Sequence, residues 1–188
     1  MKIGKSITSI IIALFLLASI TQAVEVTEQK LTVSSGRMLY VLVKTEWEIT
    51  AKMSGIADEF YGTVDLPSKT FNITASIKRD NFYLTGAYKY ANDLMHEGFL
   101  ESDTYNNANF QGQITSYDTN TGDIKVTGKM KIHGVTKENV EITGKLKRGE
   151  AKGYLFTSTF KINPKDYNME PPKIKEVDVS IKLELNGN

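Results

Sequence analysis

Residues 94–110, LMHEGFLESDTYNNANF, gather the side chains of this chain best suited to chemistry. His96 is one of two histidines, and Glu97, Glu101 and Asp103 follow it closely. Three chemistries suit that mixture. It could ligate a metal, or do acid/base work through a carboxyl pair. Through Leu94, Met95, Phe99 and Leu100, which recur at helical spacing, it could instead close one edge of an apolar cavity.

The spacing speaks against a metal. His96, Glu97 and Glu101 do not make the His-Glu-x-x-His pattern that puts two imidazoles on one helical face. The other histidine, His133, stands in HGVTK. There Gly134 supplies positive φ and a β-branched return follows, which is hairpin-turn chemistry. A site with two histidines and one carboxylate would require these distant positions to converge. Glycosidase-type work needs two carboxyls at a fixed separation in a cleft, whereas Glu97 and Glu101, four apart, would share a solvated helical face. Glu101 and Ser102 are expected to bond nearby backbone. Gly-x-Ser-x-Gly, P-loop and Gly-x-Gly-x-x-Gly motifs do not occur. No metal ligand, cofactor or catalytic group is therefore assigned. An enzyme using His96 with Glu97 or Glu101 is the alternative reading, and a packed structural or stress-response barrel without ligand is a third.

Composition narrows the partners. There is no cysteine, which removes disulfides, thiol nucleophiles and thiolate metal sites. The balance of 23 basic and 22 acidic residues argues against nucleic acid or an anionic membrane as the main partner. At the start, Lys2 and Lys5 precede an apolar run, SIIIALFLLASI, and then TQA with Thr21 and Ala23 at the small positions. This is the pattern of a secretory signal peptide over residues 1–23. The run is shorter than the roughly 20 apolar residues of a membrane span. Residues 24–188 then form one domain, expected to be periplasmic or secreted and not membrane-spanning once the leader is removed.

The elements that must position these residues are strands. In VDVSIKLEL, Val177, Val179, Ile181, Leu183 and Leu185 alternate with Asp178, Ser180, Lys182 and Glu184. IKVTGKMKI and VEITGKLK alternate in the same way. Period two with one dry and one wet face marks antiparallel sheet. Further strands are predicted at 46–52, 60–66, 71–78, 81–85, 110–116 and 154–162, with a weaker one within 29–43. Polar turns such as KRDN and YDTNTGD separate them. About eight strands at this spacing predict an all-β, antiparallel up-and-down barrel. A short helix is predicted around 93–100, inside the long 87–109 connection. Pro171 and Pro172 make 163–176 an extended loop. The lysine-rich face is assigned to water and the apolar face to the inside.

A barrel of this size is either filled by side chains or holds one small ligand. Inward candidates are Phe71, Ile73, Ile77, Phe82, Leu84, Phe110, Ile114, Phe156, Phe160 and Ile162. Small residues on the same parity, namely Ala75, Gly112, Gly128, Gly144 and Ser158, would leave gaps for a pocket. Glycines in strands also mark bends that close a barrel.

Three segments carry a family resemblance. Met95, His96, Leu100, Glu101, Ser102, Tyr105, Ala108 and Phe110 match the signature segment of the YceI-like polyisoprenoid-binding family. Gly128, Met130, Ile132, His133, Gly134, Val135, Thr136 and Lys137 resemble its Gly-x-Leu/Met-x-Ile-His-Gly-Val-Thr-Lys hairpin. FTSTFKINPKDYN resembles its third segment, with Asn168 where glycine is usual; both residues tolerate positive φ. The resemblance covers about 60–185. It implies a lipocalin-like barrel with a long apolar cavity. The implied partner is an isoprenoid or other long-chain lipid, held without covalent chemistry for storage, transport or stress protection. The residues expected to line that site are Phe71, Ile73, Phe82, Met95, Phe99, Leu100, Phe110, Phe156 and Phe160.

Overall fold

The computed structural model describes residues 29–46, 49–86, 89–149, 153–170 and 174–187; the leader pattern of 1–23 lies outside them. The described chain carries the strands β1 (Lys30–Glu46), β2 (Ile49–Ala57), β3 (Phe60–Asp65), β4 (Thr70–Ser76) and β5 (Phe82–Leu84), then β6 (Asn107–Tyr117), β7 (Asp123–Ile132), β8 (Val135–Arg148), β9 (Tyr154–Ile162) and β10 (Ile174–Gly187). Helix α1 (Lys89–Asp93) runs on into a π-helical turn, Leu94–Phe99, between β5 and β6. A 3-10 turn, Pro164–Tyr167, stands between β9 and β10.

Strand β1 closes the sheet. It pairs with β10 along its length, from Leu31 opposite Gly187 to Lys44 opposite Ile174. On its other edge the first residues pair with β3 and the later ones with β2. Eight strands, β1, β3, β4 and β6 to β10, form a closed antiparallel barrel, and β2 with β5 extends its upper part. The chain is thus not a pure up-and-down meander. β4 pairs directly with β6, and the intervening β5 and helical segment cross over the barrel's end. The predicted single strand 46–52 is corrected: Glu46 ends β1, and Ile49–Lys52 belong to β2, which pairs antiparallel with β1.

The period-two pattern sorts the faces as expected. On β10, Val179, Leu183 and Leu185 are buried while Ser180, Lys182 and Glu184 are exposed. The β7–β8 connection is the predicted hairpin turn, a two-residue one with His133 at φ 48° and Gly134 at φ 74°. Positive φ at both central positions matches the strand twist. Asn168 adopts φ 55° after the 3-10 turn, so it takes the left-handed position of the glycine it replaces.

Inward residues form two layers. At the lower end, Leu31, Val64, Val126, Leu146 and Leu185 are wholly buried, joined by Ile114, Ile124 and Tyr154. None of these touches open space. The upper end is hollow.

Candidate binding cavity

A cavity of about 180 Å³ occupies the upper half of the barrel. Its wall follows from the strand periodicity. Alternate residues Phe71, Ile73 and Ala75 of β4, and Phe156, Ser158, Phe160 and Ile162 of β9, face it. Val177, Val179, Ile181 and Leu183 of β10 do the same, with Phe110, Met130 and Ile142 from the strands between. Phe71 meets Phe156 edge-on at 5.0 Å and Phe110 at 6.0 Å between ring centroids. Phe156 pairs in register with Leu146 of the packed layer, so this aromatic group forms the cavity floor.

The ceiling comes from the helical segment. Met95, Phe99 and Leu100 look into the cavity, whereas Leu94 points outward and is exposed. All nine residues expected to line a pocket do line it: Phe71, Ile73, Phe82, Met95, Phe99, Leu100, Phe110, Phe156 and Phe160. Ala75 and Ser158 also open onto it. The expectation for the glycines is corrected: Gly112, Gly128 and Gly144 leave no gap. A Cβ on Gly128 would stand 2.4 Å from Gly112 Cα, and one on Gly144 would stand 2.5 Å from Thr157 O. These glycines are places where neighbouring backbone comes too close for a side chain.

Tyr40 and Phe60 also belong to the wall, and the sequence reading passed over them. Tyr40 stacks on Phe82 with centroids 4.4 Å apart, and its hydroxyl donates to Met95 Sδ at 3.6 Å. Burial pushes its phenol far above the usual range, and Tyr83 adds to this; the ring therefore stays neutral. Gly55 makes room for it, since a Cβ there would lie 1.9 Å from the ring. The signal was hidden because MLYVLV at 38–43 is an unbroken apolar run in which parity cannot be read.

Among the described residues the cavity wall carries no charged side chain. Its polar side chains are Tyr40, Asn109 and Ser158, and each is engaged by protein. Ser158 Oγ donates to Thr143 O at 2.7 Å, and Asn109 Oδ1 accepts from Thr74 Oγ1 at 2.8 Å. A polar group entering the cavity would give up its bonds to water and find few in return.

His96 belongs to the ceiling segment but not to the cavity wall, and it is 2% exposed. Its Nε2 is 2.6 Å from the carbonyl oxygen of Phe82, and its Nδ1 is 2.9 Å from Ser102 Oγ. A carbonyl only accepts, so Nε2 carries the proton and Ser102 donates to Nδ1. Desolvation holds the imidazole below its ordinary pKa, against the opposing bond to Phe82. His96 thus fastens the π-helical turn to β5 and to the loop behind it. Ser102, expected to bond local backbone, bonds this imidazole instead. Arg79 adds an outer brace, reaching Asp93 and Glu97 at 2.5 Å each.

His133, on the rim, sends Nδ1 to the carbonyl oxygen of Tyr167 at 3.1 Å and faces Glu101. The two histidines hold different partners. Glu97 and Glu101 do not share a helical face, because the helical segment ends at Phe99 and Glu101 turns to φ 45°. Among the described residues no group of three His, Cys, Asp or Glu is placed to hold a metal ion. No described helix is long and apolar enough to cross a membrane.

Residues 24–187 match the family model of the YceI-like domain. No curated protein matches the chain. One similar solved structure is a polyisoprenoid binding domain from Saccharophagus degradans implicated in plant cell wall breakdown. It is 13% identical, with a TM-score of 0.66 over 84% of this chain and 98% of that one. A second is Burkholderia cenocepacia BcnA, 17% identical, with a TM-score of 0.49 over 80% of this chain and 94% of that one. At these identities the likeness is one of fold.

Proposed function

The chain belongs to the YceI-like family, and from that premise we propose that its upper barrel binds the apolar chain of an isoprenoid-type lipid, without catalysis. The observation that carries the reading is the wall: aromatic, methionine and aliphatic side chains around open space, with no charged side chain among the described residues that line it and with Ser158 Oγ and Asn109 Oδ1 held by protein. A structural relative being a polyisoprenoid binding domain supports it. Affinity then comes from apolar burial, roughly 25 cal/mol per Å² removed from water. A long chain binds tightly by length alone, and any polar head stays at the upper rim.

The cavity is small for that task. Ligand sites usually run to about 300–1,000 Å³, and about 150 Å³ of dry space takes only a benzene-sized guest. A full isoprenoid chain requires the ceiling to move outward. The ceiling is one short helical segment, held by His96, Arg79 and the bond from Leu84 N–H to Asn92, whereas the wall is continuous sheet.

Native mass spectrometry and lipid extraction of the purified protein test the reading. A stoichiometric co-purifying lipid is expected. Protein that is lipid-free as isolated and binds no added prenyl chain would point to a merely packed barrel. Export is part of the proposal: mature protein should begin near Val24 in the soluble exported fraction. N-terminal sequencing that finds Met1 retained in a membrane fraction would overturn that part.

A further inference from the structure

We propose that His133 and Glu101 form a protonation-dependent clasp across the cavity rim, tightening its cap when the imidazole takes up a proton. The consequence for a ligand rests on the lipid reading above; the clasp itself does not.

The geometry sets the direction. Nδ1 of His133 lies 3.1 Å from the carbonyl oxygen of Tyr167. A carbonyl only accepts, so Nδ1 carries the proton of the neutral ring. Nε2 is then an acceptor. It is buried without a hydrogen-bond partner, and it faces a carboxylate oxygen of Glu101 at 3.7 Å. Two acceptors therefore oppose each other, the imidazole nitrogen buried and the Glu101 side chain 55% exposed. One proton from solvent on Nε2 turns the ring into a double donor and makes the pair charge-assisted. Both residues sit in left-handed backbone, His133 at φ 48° and Glu101 at φ 45°. At His133 the hairpin turn requires this conformation, whereas for a glutamate it is uncommon.

The pair joins three connections. Leu100, Ile132 and Pro164 line the cavity. Each adjoins a member of the clasp: Glu101 on the loop behind the ceiling, His133 on the β7–β8 hairpin, and the 3-10 turn bearing Tyr167. Tyr105, from that same loop, meets the His133 ring edge-on at 4.5 Å. The phenol of Tyr167 is raised by burial, with Asp166 beside it, and stays neutral. Asp103 on the loop, Lys165 and Asp166 on the 3-10 turn, and Lys131 and Lys137 on the hairpin complete the nearby charges; of these Asp103, Lys131, Lys165 and Asp166 are exposed. Glu101 is thus the carboxylate placed to receive the proton's hydrogen bond. His96 works the other way, because acid loads its buried ring without giving it a carboxylate. Glu101→Gln separates the two, since it leaves the contacts of His96 in place.

The test is amide exchange in ligand-free protein, corrected for intrinsic rates, between pH 8 and pH 5.5. The reporters are the N–H groups of Thr104 and Tyr105, which donate to the carbonyl oxygen of Glu101. Wild type is expected to gain about tenfold in protection on acidification, the scale of one charge-assisted bond. Glu101→Gln, and His133→Asn, whose side chain tolerates positive φ, should lose most of that gain. An equal gain in either variant would overturn the clasp. In a second arm, dissociation of dansylated farnesol should slow on acidification in wild type and not in Glu101→Gln. If wild type does not bind this probe at all, the lipid reading fails while amide exchange still decides the clasp.

Discussion

The lower and upper halves of the barrel obey the same alternation and end differently. Below, Leu31, Val64, Val126, Leu146 and Leu185 reach the axis from different strands and exclude solvent entirely. Above, large rings stand along the wall beside Ala75, Ala108 and Ser158, which stop short of the axis. A barrel of this size is filled only when enough inward side chains are long enough to meet. The difference lies in side-chain reach at each level, and binary pattern does not encode it. The lower half acts as the rigid plug, and the upper half holds the space and the movable ceiling.

The sharpest way to break that contrast is to shorten one residue in each half. Leu146→Ala should cost about 2–5 kcal/mol, since it opens a void in close-packed surroundings. Ile181→Ala, on the cavity wall and only partly buried, should cost about 1 kcal/mol, because fewer packing contacts are lost. Urea denaturation of both variants measures this, and equal losses would show that the upper half is packed like the lower.

Filling the space is the next largest effect. Ser158→Phe puts a ring where the cavity is and gives up the bond to Thr143 O. Apo stability should change by no more than about 1 kcal/mol, the scale of that lost bond, while affinity for a prenyl chain falls at least about tenfold. A packed site would instead lose about 1–3 kcal/mol to overpacking, and that result in thermal melts, with prenyl affinity unchanged, would sink the hollow-half reading.

Acid should weaken the two halves unequally. Burial holds His96 below its ordinary pKa, so the unfolded chain binds this proton first. Stability is full above the ordinary imidazole value, about 6.5, and declines as pH falls through the window beneath it. The lowered carboxyls, Asp65, Asp93, Asp118 and Asp123, add their losses only nearer pH 4, as pH falls below their ordinary range. In a Glu101→Gln background, urea midpoints at pH 7.5 and 5.5 should differ, and a further His96→Gln change should reduce that difference. An unchanged difference would remove His96 as the ceiling's acid-sensitive fastening.

The smallest effect is expected outside both halves. Lys145→Ala removes an exposed pair with Asp123 and should leave the urea midpoint nearly unchanged, because water screens such a pair. A larger shift in the same urea assay would mean that the outer face contributes to holding the lower plug.

Much of this was legible in the chain. Alternation in VDVSIKLEL and TFNITAS assigned inside and outside correctly, because side chains on a strand have no other choice than two faces. The strand residues expected on the cavity wall follow from this, whereas Met95, Phe99 and Leu100 come from the helical segment, and Tyr40 and Phe60 were passed over. A hairpin turn with Gly134 at positive φ was legible from local conformational preference alone; its two-residue length was not. The tertiary structure decided what depends on neighbours brought from far along the chain. It made β1 a 17-residue strand shared by β10, β3 and β2, and it placed Tyr40 against Gly55 and Phe82. It turned three apparent gaps at Gly112, Gly128 and Gly144 into close backbone contacts. It carried His96 against β5 and His133 to the rim, so that two histidines which resemble a site in sequence fasten different parts of one cap. Chain-local rules specify direction; register and closure specify distance, and distance decides whether inward side chains meet or leave room.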